Sequence, residues 1–180
     1  IPEEVKEKLD KIKKKVEILK KRLLKQYGEH LIAMALLPPP KPEQNLPQDK
    51  IYILTVFDDT NAKSDLYELK SKLIGNAEKI SKEIDENLAI NVMLLSEIKQ
   101  SLFDSKYELL ELIAMSAPLH DPKDILAALK VSEIHKTMVL KKFDKYIVSY
   151  VAFGSLFRGE KSNDIDVYVI VDDTDVKKMT

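Results

Sequence analysis

Cysteine and tryptophan are missing from this 180-residue chain, and it holds only four glycines and three histidines. The absence of cysteine excludes a disulfide framework and any thiolate metal site. His30, His120 and His135 lie far apart in sequence, which argues against a zinc site. No apolar run approaches the roughly 20 residues needed to cross a bilayer, and the first residues are charged rather than a hydrophobic leader, so no membrane partner is expected. A formal net charge of -1 gives no overall attraction to nucleic acid or anionic lipid, so such contact needs a local patch. These absences favour a cytoplasmic protein whose metal, if it has one, is held by oxygen. Abundant Lys, Glu and Ile without Cys or Trp fits a thermophile. Because Ile1-Pro2 opens the chain without an initiator methionine, a trimmed or unseen N-terminus is expected.

What is present suits a folded chain: 44% hydrophobic residues and 33% charged, both signs interspersed. From the N-terminus, Val5, Leu9, Ile12, Val16, Leu19 and Leu23 recur at steps of four and three, the stripe of a long helix with one buried face. Its other faces are lysine-rich, diluted by Glu3, Glu4, Glu7, Asp10 and Glu17, which suits a solvated surface or a contact with phosphate backbones. The apolar run Leu31 to Leu37, stopped by Pro38-Pro39-Pro40, predicts a strand. Ile51 to Phe57 predicts a second strand, Leu66 to Ile84 a helix, Leu88 to Leu95 a third strand, Glu97 to Met115 a helix, and Ala117 to Asp121 a short strand and turn. Alternating strands and helices place the chain in a mixed α/β class.

The same order then starts again. Lys25 to Leu36 can be laid on Lys141 to Ala152, with Tyr27 on Phe143 and His30 on Tyr146. Ile51 to Thr60 can be laid on Ile165 to Thr174, with Asp58 and Asp59 on Asp172 and Asp173. Two matches in the same order favour duplication: one domain over residues 1–125, and the N-terminal part of a second over 126–180. Tyr27 and Phe143 are expected as core anchors at a helix end, and Asp172-Asp173 as a strand-ending turn rather than ligands.

The second copy carries the chemistry. A helix, roughly Ser132 to Lys145, feeds a strand from Ile147 to Phe153 that runs into Gly154-Ser155-Leu156-Phe157-Arg158-Gly159. After a polar turn, Asp164-Ile165-Asp166 opens the next strand, where the period of two puts both carboxylates on one face. Like charges so placed repel unless a cation lies between them. Magnesium suits a few carboxylate oxygens completed by waters and substrate phosphates, and phosphoryl transfer commonly uses such ions. Gly154 lets backbone N–H groups approach a phosphate, Ser155 can donate its hydroxyl to the same anion, and Arg158 can offset charge on a triphosphate. An exposed sheet face would show the same Asp–Ile alternation, but leaves the Gly-Ser turn without a role.

These residues resemble the polymerase-beta-like nucleotidyltransferase superfamily, particularly its small bacterial and archaeal members. Its signature is an apolar strand, Gly-Ser, often Arg-Gly, then Asp-x-Asp on the next strand. Here Gly154, Ser155, Arg158, Gly159, Asp164 and Asp166 hold those positions. Asn163 stands where many relatives have serine. The resemblance covers roughly Lys136 to Thr174. It implies a mixed sheet flanked by helices, phosphate binding at Gly154, Ser155 and Arg158, and Mg2+ (or Mn2+) on Asp164 and Asp166 as metal ligands and catalytic residues. The substrate would be a nucleoside triphosphate, with ATP the first candidate. A third carboxylate belongs on a later strand, which in the second copy would fall after Thr180. In the first copy Asn91 takes that place, Pro38 and Pro39 replace the Gly-Ser pair, and Lys50 and Tyr52 replace the two aspartates, so that copy is expected to keep the fold without the catalysis.

Three functional expectations follow. The first is transfer of a nucleoside monophosphate to an acceptor hydroxyl of RNA, protein or a small molecule. The second is a non-catalytic nucleotide-binding or scaffold module. The third is nucleic-acid contact through the lysine-rich first helix. An incomplete second copy would expose a sheet edge, which could pair chains into a homodimer.

Overall fold

The computed structural model describes residues 3–104, 106–155, 164–172 and 174. The first element is α1 (Glu3–Tyr27), whose stripe is exposed at Leu9, half-buried at Ile12 and buried at Val16, Leu19 and Leu23. A 3₁₀ turn, Gly28–His30, leads into β1 (Leu31–Leu36), followed by β2 (Ile51–Phe57), α2 (Leu66–Ile84) and β3 (Leu88–Leu94). Asp65 caps α2 by accepting from the N–H groups of Tyr67 and Glu68 at 2.9 and 3.1 Å, which satisfies donors that a helix start leaves open. Next come α3 (Leu95–Phe103), α4 (Tyr107–Met115), β4 (Ala117–His120) and α5 (Ile125–Phe143). A second 3₁₀ turn, Asp144–Tyr146, precedes β5 (Ile147–Phe153) and β6 (Asp166–Val171).

Four strands form a mixed sheet in the order β3-β2-β1-β4, with β2 parallel to β3 and both neighbours of β1 antiparallel to it. The continuous apolar run of β1 follows from its central place: Leu31 to Ala35 are all buried. One face of the sheet packs Met34, Ile53 and Phe57 against Val16, Leu19 and Leu23 of α1 and Leu73, Ala77 and Ile80 of α2. The opposite face packs Ile32, Ala35, Leu54 and Val56 under α3, α4 and the first half of α5. Each fully buried aliphatic side chain contributes about 1.5–3 kcal/mol, so helices on both faces stabilise the sheet as a three-layer α/β/α unit.

Several element boundaries differ from the sequence expectation, among them the start of β6 at Asp166, which leaves Asp164 before the strand rather than on it. The helix expected over Glu97 to Met115 is two helices, broken where the N–H of Lys106 turns back to Ser101 O at 3.0 Å. The helix expected from Ser132 starts at Ile125, because Asp121 accepts from the N–H groups of Ile125 and Ala127 at 2.9 and 3.0 Å. Its first turns, Ile125, Leu126, Ala128 and Leu129, are buried in the core below β1 and β2. The strands expected to reach Leu37 and Leu95 stop one residue earlier, and Leu95 already belongs to α3.

The two helix–turn–hairpin segments correspond bond for bond. In β1–β2 the pairs are Leu31 with Phe57, Ala33 with Val56, Met34 with Thr55, Ala35 with Leu54 and Leu36 with Ile53, with a register shift after Leu31. In β5–β6 they are Ile147 with Val171, Ser149 with Ile170, Tyr150 with Val169, Val151 with Tyr168 and Ala152 with Val167, with the shift after Ile147. The N–H of Asp58 donates to His30 O at 2.9 Å, and that of Asp172 to Tyr146 O at 2.8 Å. Both aspartates then accept from a threonine N–H two residues on, Thr60 and Thr174, each at 3.0 Å.

The surroundings of the two hairpins differ. Leu54 and Val56 are 2% and 0% exposed, whereas Tyr168 and Ile170 at the matching positions are 64% and 52% exposed. Val148 and Val151, on the same side as these two, are exposed as well. The helices that cover this face in the first hairpin have no counterpart on the second among the described residues, and β5 and β6 pair only with each other there.

Candidate functional site

Each candidate residue follows from how β5 ends and β6 begins. Phe153 closes β5 opposite Asp166, which opens β6. The Phe153 and Tyr168 rings stack with centroids 4.6 Å apart and planes 14° from parallel, fixing this end of the hairpin. Gly154 follows directly with φ +122°, a conformation that disfavours any residue with a side chain. A Cβ at Gly154 would lie 3.2 Å from Asp166 Oδ2 and 3.8 Å from Asp166 N. The carboxylate of Asp166 therefore fills the space that the glycine leaves open.

Ser155 follows Gly154 in the same bend and is half-buried. Asp164 and Asp166 are exposed on either side of half-buried Ile165, which rests against the helix-covered core of the first unit. The structure thus brings Gly154 and Asp166 into contact and leaves Asp164 and Asp166 open to solvent. Arg158, Gly159 and Asn163 lie outside the described residues, as does Asp173. Among the described residues there is no group of three Asp, Glu, His or Cys side chains placed to hold a metal ion.

The matching corner of the first hairpin is built from other chemistry. The N–H of Leu37 donates to Tyr52 O at 2.9 Å, which puts Tyr52 in the register position that Asp166 holds opposite Phe153. Tyr52 turns its hydroxyl to Pro47 O at 3.1 Å. Pro38 and Pro39 offer no N–H donor. Asn91 of β3 pairs with Leu54, and together with Pro38, Tyr52 and Lys70 it lines a mostly apolar cavity of about 520 Å³.

Sequence reasoning missed a second concavity, of about 500 Å³, at the opposite end of the sheet. Tyr27, His30, Asp58, Asn61 and Lys123 line it, although they come from three separate stretches of chain. Lys123 Nζ lies 3.2 Å from Asp58 Oδ2. Burial alone would raise the Asp58 carboxyl, but hydrogen bonds from Thr60 and from Lys123 outweigh it and hold the group below the ordinary carboxylate range. The repeated Asp-Asp-Thr was the available signal, and it marks the turn rather than the Lys123 partner. Tyr27 meets Phe57 edge-on, ring centroids 5.0 Å apart, as a core anchor would.

No helix among the described residues is long and apolar enough to cross a membrane. In comparisons with known proteins, no family model, no curated protein and no solved structure matches this chain.

Proposed function

We propose that the β5–β6 corner is the metal- and phosphate-binding site of a nucleotidyltransferase that moves a nucleoside monophosphate from a triphosphate to an acceptor hydroxyl. The observation that carries this is the contact between Gly154 and Asp166: the backbone at 154 has the positive φ that favours glycine, and a Cβ there would come within 3.2 Å of a carboxylate at the start of the next strand. A solvent-facing strand end has no need of that arrangement. The polymerase-beta-like signature gives it a purpose, because the bare turn admits phosphate beside the acid that faces the cation.

The donor set fits magnesium or manganese. Asp164 and Asp166 offer hard oxygens and are exposed, leaving room for waters and phosphate oxygens to complete an octahedron. A cation bound there would offset charge on the triphosphate and its leaving group. Ser155 would donate its hydroxyl to a phosphate oxygen, and Gly154 would let the backbone close on the same anion. Arg158 is proposed to neutralise the phosphate tail. ATP is the first nucleotide to test; the acceptor class, whether RNA, protein or small molecule, is open. The cysteine-free composition supports placing the protein in the cytoplasm.

A second reading, a nucleotide-binding or scaffold module, draws support from the first hairpin, where Pro38, Lys50 and Tyr52 stand in place of Gly154, Asp164 and Asp166. Titrating Mn2+ and ATP into the chain, with pyrophosphate release followed in parallel, separates the two. Metal-dependent ATP binding that is lost in Asp164→Asn plus Asp166→Asn, with the thermal midpoint unchanged, is the expected result. Binding that survives the double substitution rejects the site. Binding without pyrophosphate release favours the module.

A further inference from the structure

The first helix carries one apolar stripe with two fates. Written as a heptad, Leu9, Val16 and Leu23 occupy the a positions and Val5, Ile12 and Leu19 the d positions, the seam of a helix that packs along another helix. Val16, Leu19 and Leu23 are 5%, 0% and 0% exposed, sealed within the domain. Towards the N-terminus the same seam opens. Leu9 is 44% exposed, Ile12 is half-buried, and the residues around them face solvent.

The positions that flank such a seam choose its partner. Here they are basic without exception: Lys6, Lys13 and Lys20 at e, and Lys8, Lys15 and Arg22 at g. The acids of the same helix sit elsewhere, with Glu3, Asp10 and Glu17 at b and Glu7 at f. Where the seam is buried, the domain already answers the g residues with acids from the end of α2. Lys15 bonds to Asp85, and Arg22 Nη2 lies 2.5 Å from Glu83 Oε2. Beyond Lys15 the helix continues past that end of α2. Among the described residues, the e-position lysines there make exposed contacts within one turn, Lys6 to Glu3 at 3.8 Å and Lys13 to Asp10 at 4.0 Å, which are weak and easily exchanged.

We propose that the projecting turns of α1 dock an acidic amphipathic helix of a partner protein, with apolar residues against Leu9 and Ile12 and carboxylates facing Lys6, Lys8 and Lys13. A second copy of this chain fits poorly, because self-pairing sets lysine against lysine at every e–g contact. A nucleic-acid backbone fits less well than a helix. It would leave Leu9 in water and would meet Glu3, Glu7 and Asp10 on the same turns.

The probes are two synthetic peptides of about three heptads, leucine at a and d, one with Glu and the other with Lys at every e and g position. A single-stranded RNA oligonucleotide is the third probe. Fluorescence anisotropy with the full chain should show saturable binding of the Glu peptide. Leu9→Asp plus Ile12→Asp should weaken it roughly tenfold or more; because Ile12 packs at the rim of the α1–α2 core, Leu9→Asp alone, with circular dichroism and thermal midpoint unchanged at this exposed position, keeps lost binding apart from lost stability. Lys8→Glu plus Lys13→Glu should reverse the preference in favour of the Lys peptide. The proposal is overturned by equal binding of both peptides, by no binding of the Glu peptide, or by binding indifferent to the Asp substitutions. Displacement of the peptide by RNA, or a sedimentation dimer of the chain that dissociates on Leu9→Asp, overturns it in favour of nucleic acid or self-association.

Discussion

Tyr52 holds in the first hairpin the place that Asp166 holds in the second. Each sits opposite the residue that follows or ends the preceding strand, Leu37 in one case and Phe153 in the other. The register leaves no slack, since every other pair of the two hairpins corresponds as well. Lys50 therefore falls at the Asp164 position. Two hairpins with one backbone thus present different corners: an apolar cavity beside Tyr52, and an open carboxylate beside Gly154.

Gly154→Ala tests the carrying contact. The new Cβ would press on Asp166 Oδ2 in a backbone conformation that costs a residue with a side chain about 1–3 kcal/mol. Metal-dependent ATP binding should fall by roughly tenfold or more, while far-UV circular dichroism stays unchanged. Undiminished binding in the alanine variant would separate the glycine from the proposed site.

The matched positions also predict a contrast in stability. Leu54→Ala removes a buried side chain and should cost about 2–5 kcal/mol. Tyr168→Ala at the matching position removes a largely exposed ring, and should stay within about 0.5 kcal/mol apart from the lost stacking on Phe153. Urea denaturation of both variants measures the difference. Equal costs would show that the β5–β6 face is covered in solution.

Strands and the repeated hairpin were legible in sequence because their apolar runs are short and bounded by Pro38, Asp58 and Gly154, residues whose backbone chemistry stops a strand. The break between α3 and α4 was not, since Leu102 and Leu109 keep a helical spacing across it and only the backbone turn at Lys106 ends the first helix. The start of α5 was hidden because its cap comes from Asp121, several residues upstream. In the candidate site, Gly154, Ser155, Asp164 and Asp166 could be named from the motif and its spacing, but the positive φ of Gly154 and its approach to Asp166 depend on how the two strands meet. The Asp58–Lys123 pair joins residues distant in sequence, and no local pattern encodes it.

That pair sets a pH dependence. The Asp58 carboxyl is held below its ordinary range in the folded chain, so the unfolded chain binds its proton at a higher pH than the folded one. The stabilisation is fully present above the unfolded value, and is lost as pH falls through the folded value. Lys123→Met should therefore lower the thermal midpoint slightly at neutral pH and leave it nearly unchanged below the carboxylate range. Because the pair is partly solvated, the neutral-pH loss should be about 1 kcal/mol or less. A loss that persists undiminished in acid would assign the effect to packing of the lysine stem instead.

Ser132 offers the last test, since α5 carries polar residues at positions that match the buried stripe of α1. Val16, Leu19 and Met34 are buried in the first unit; Ser132, His135 and Tyr150 take their places in the second. Tyr150 lies with its hydroxyl 2.9 Å from His135 Nδ1 and donates to Ser132 O at 3.3 Å, but Ser132 Oγ is buried without a partner among the described residues. An unpaired buried hydroxyl costs about 1–3 kcal/mol, and alanine at this position removes the cost while leaving a small void. Ser132→Ala should raise the urea midpoint by an amount worth about 1 kcal/mol, and Val16→Ser in the first unit should lower it. A destabilised Ser132→Ala would mean that the hydroxyl is satisfied by a buried water, and that the α5–β5 seam is built to hold one.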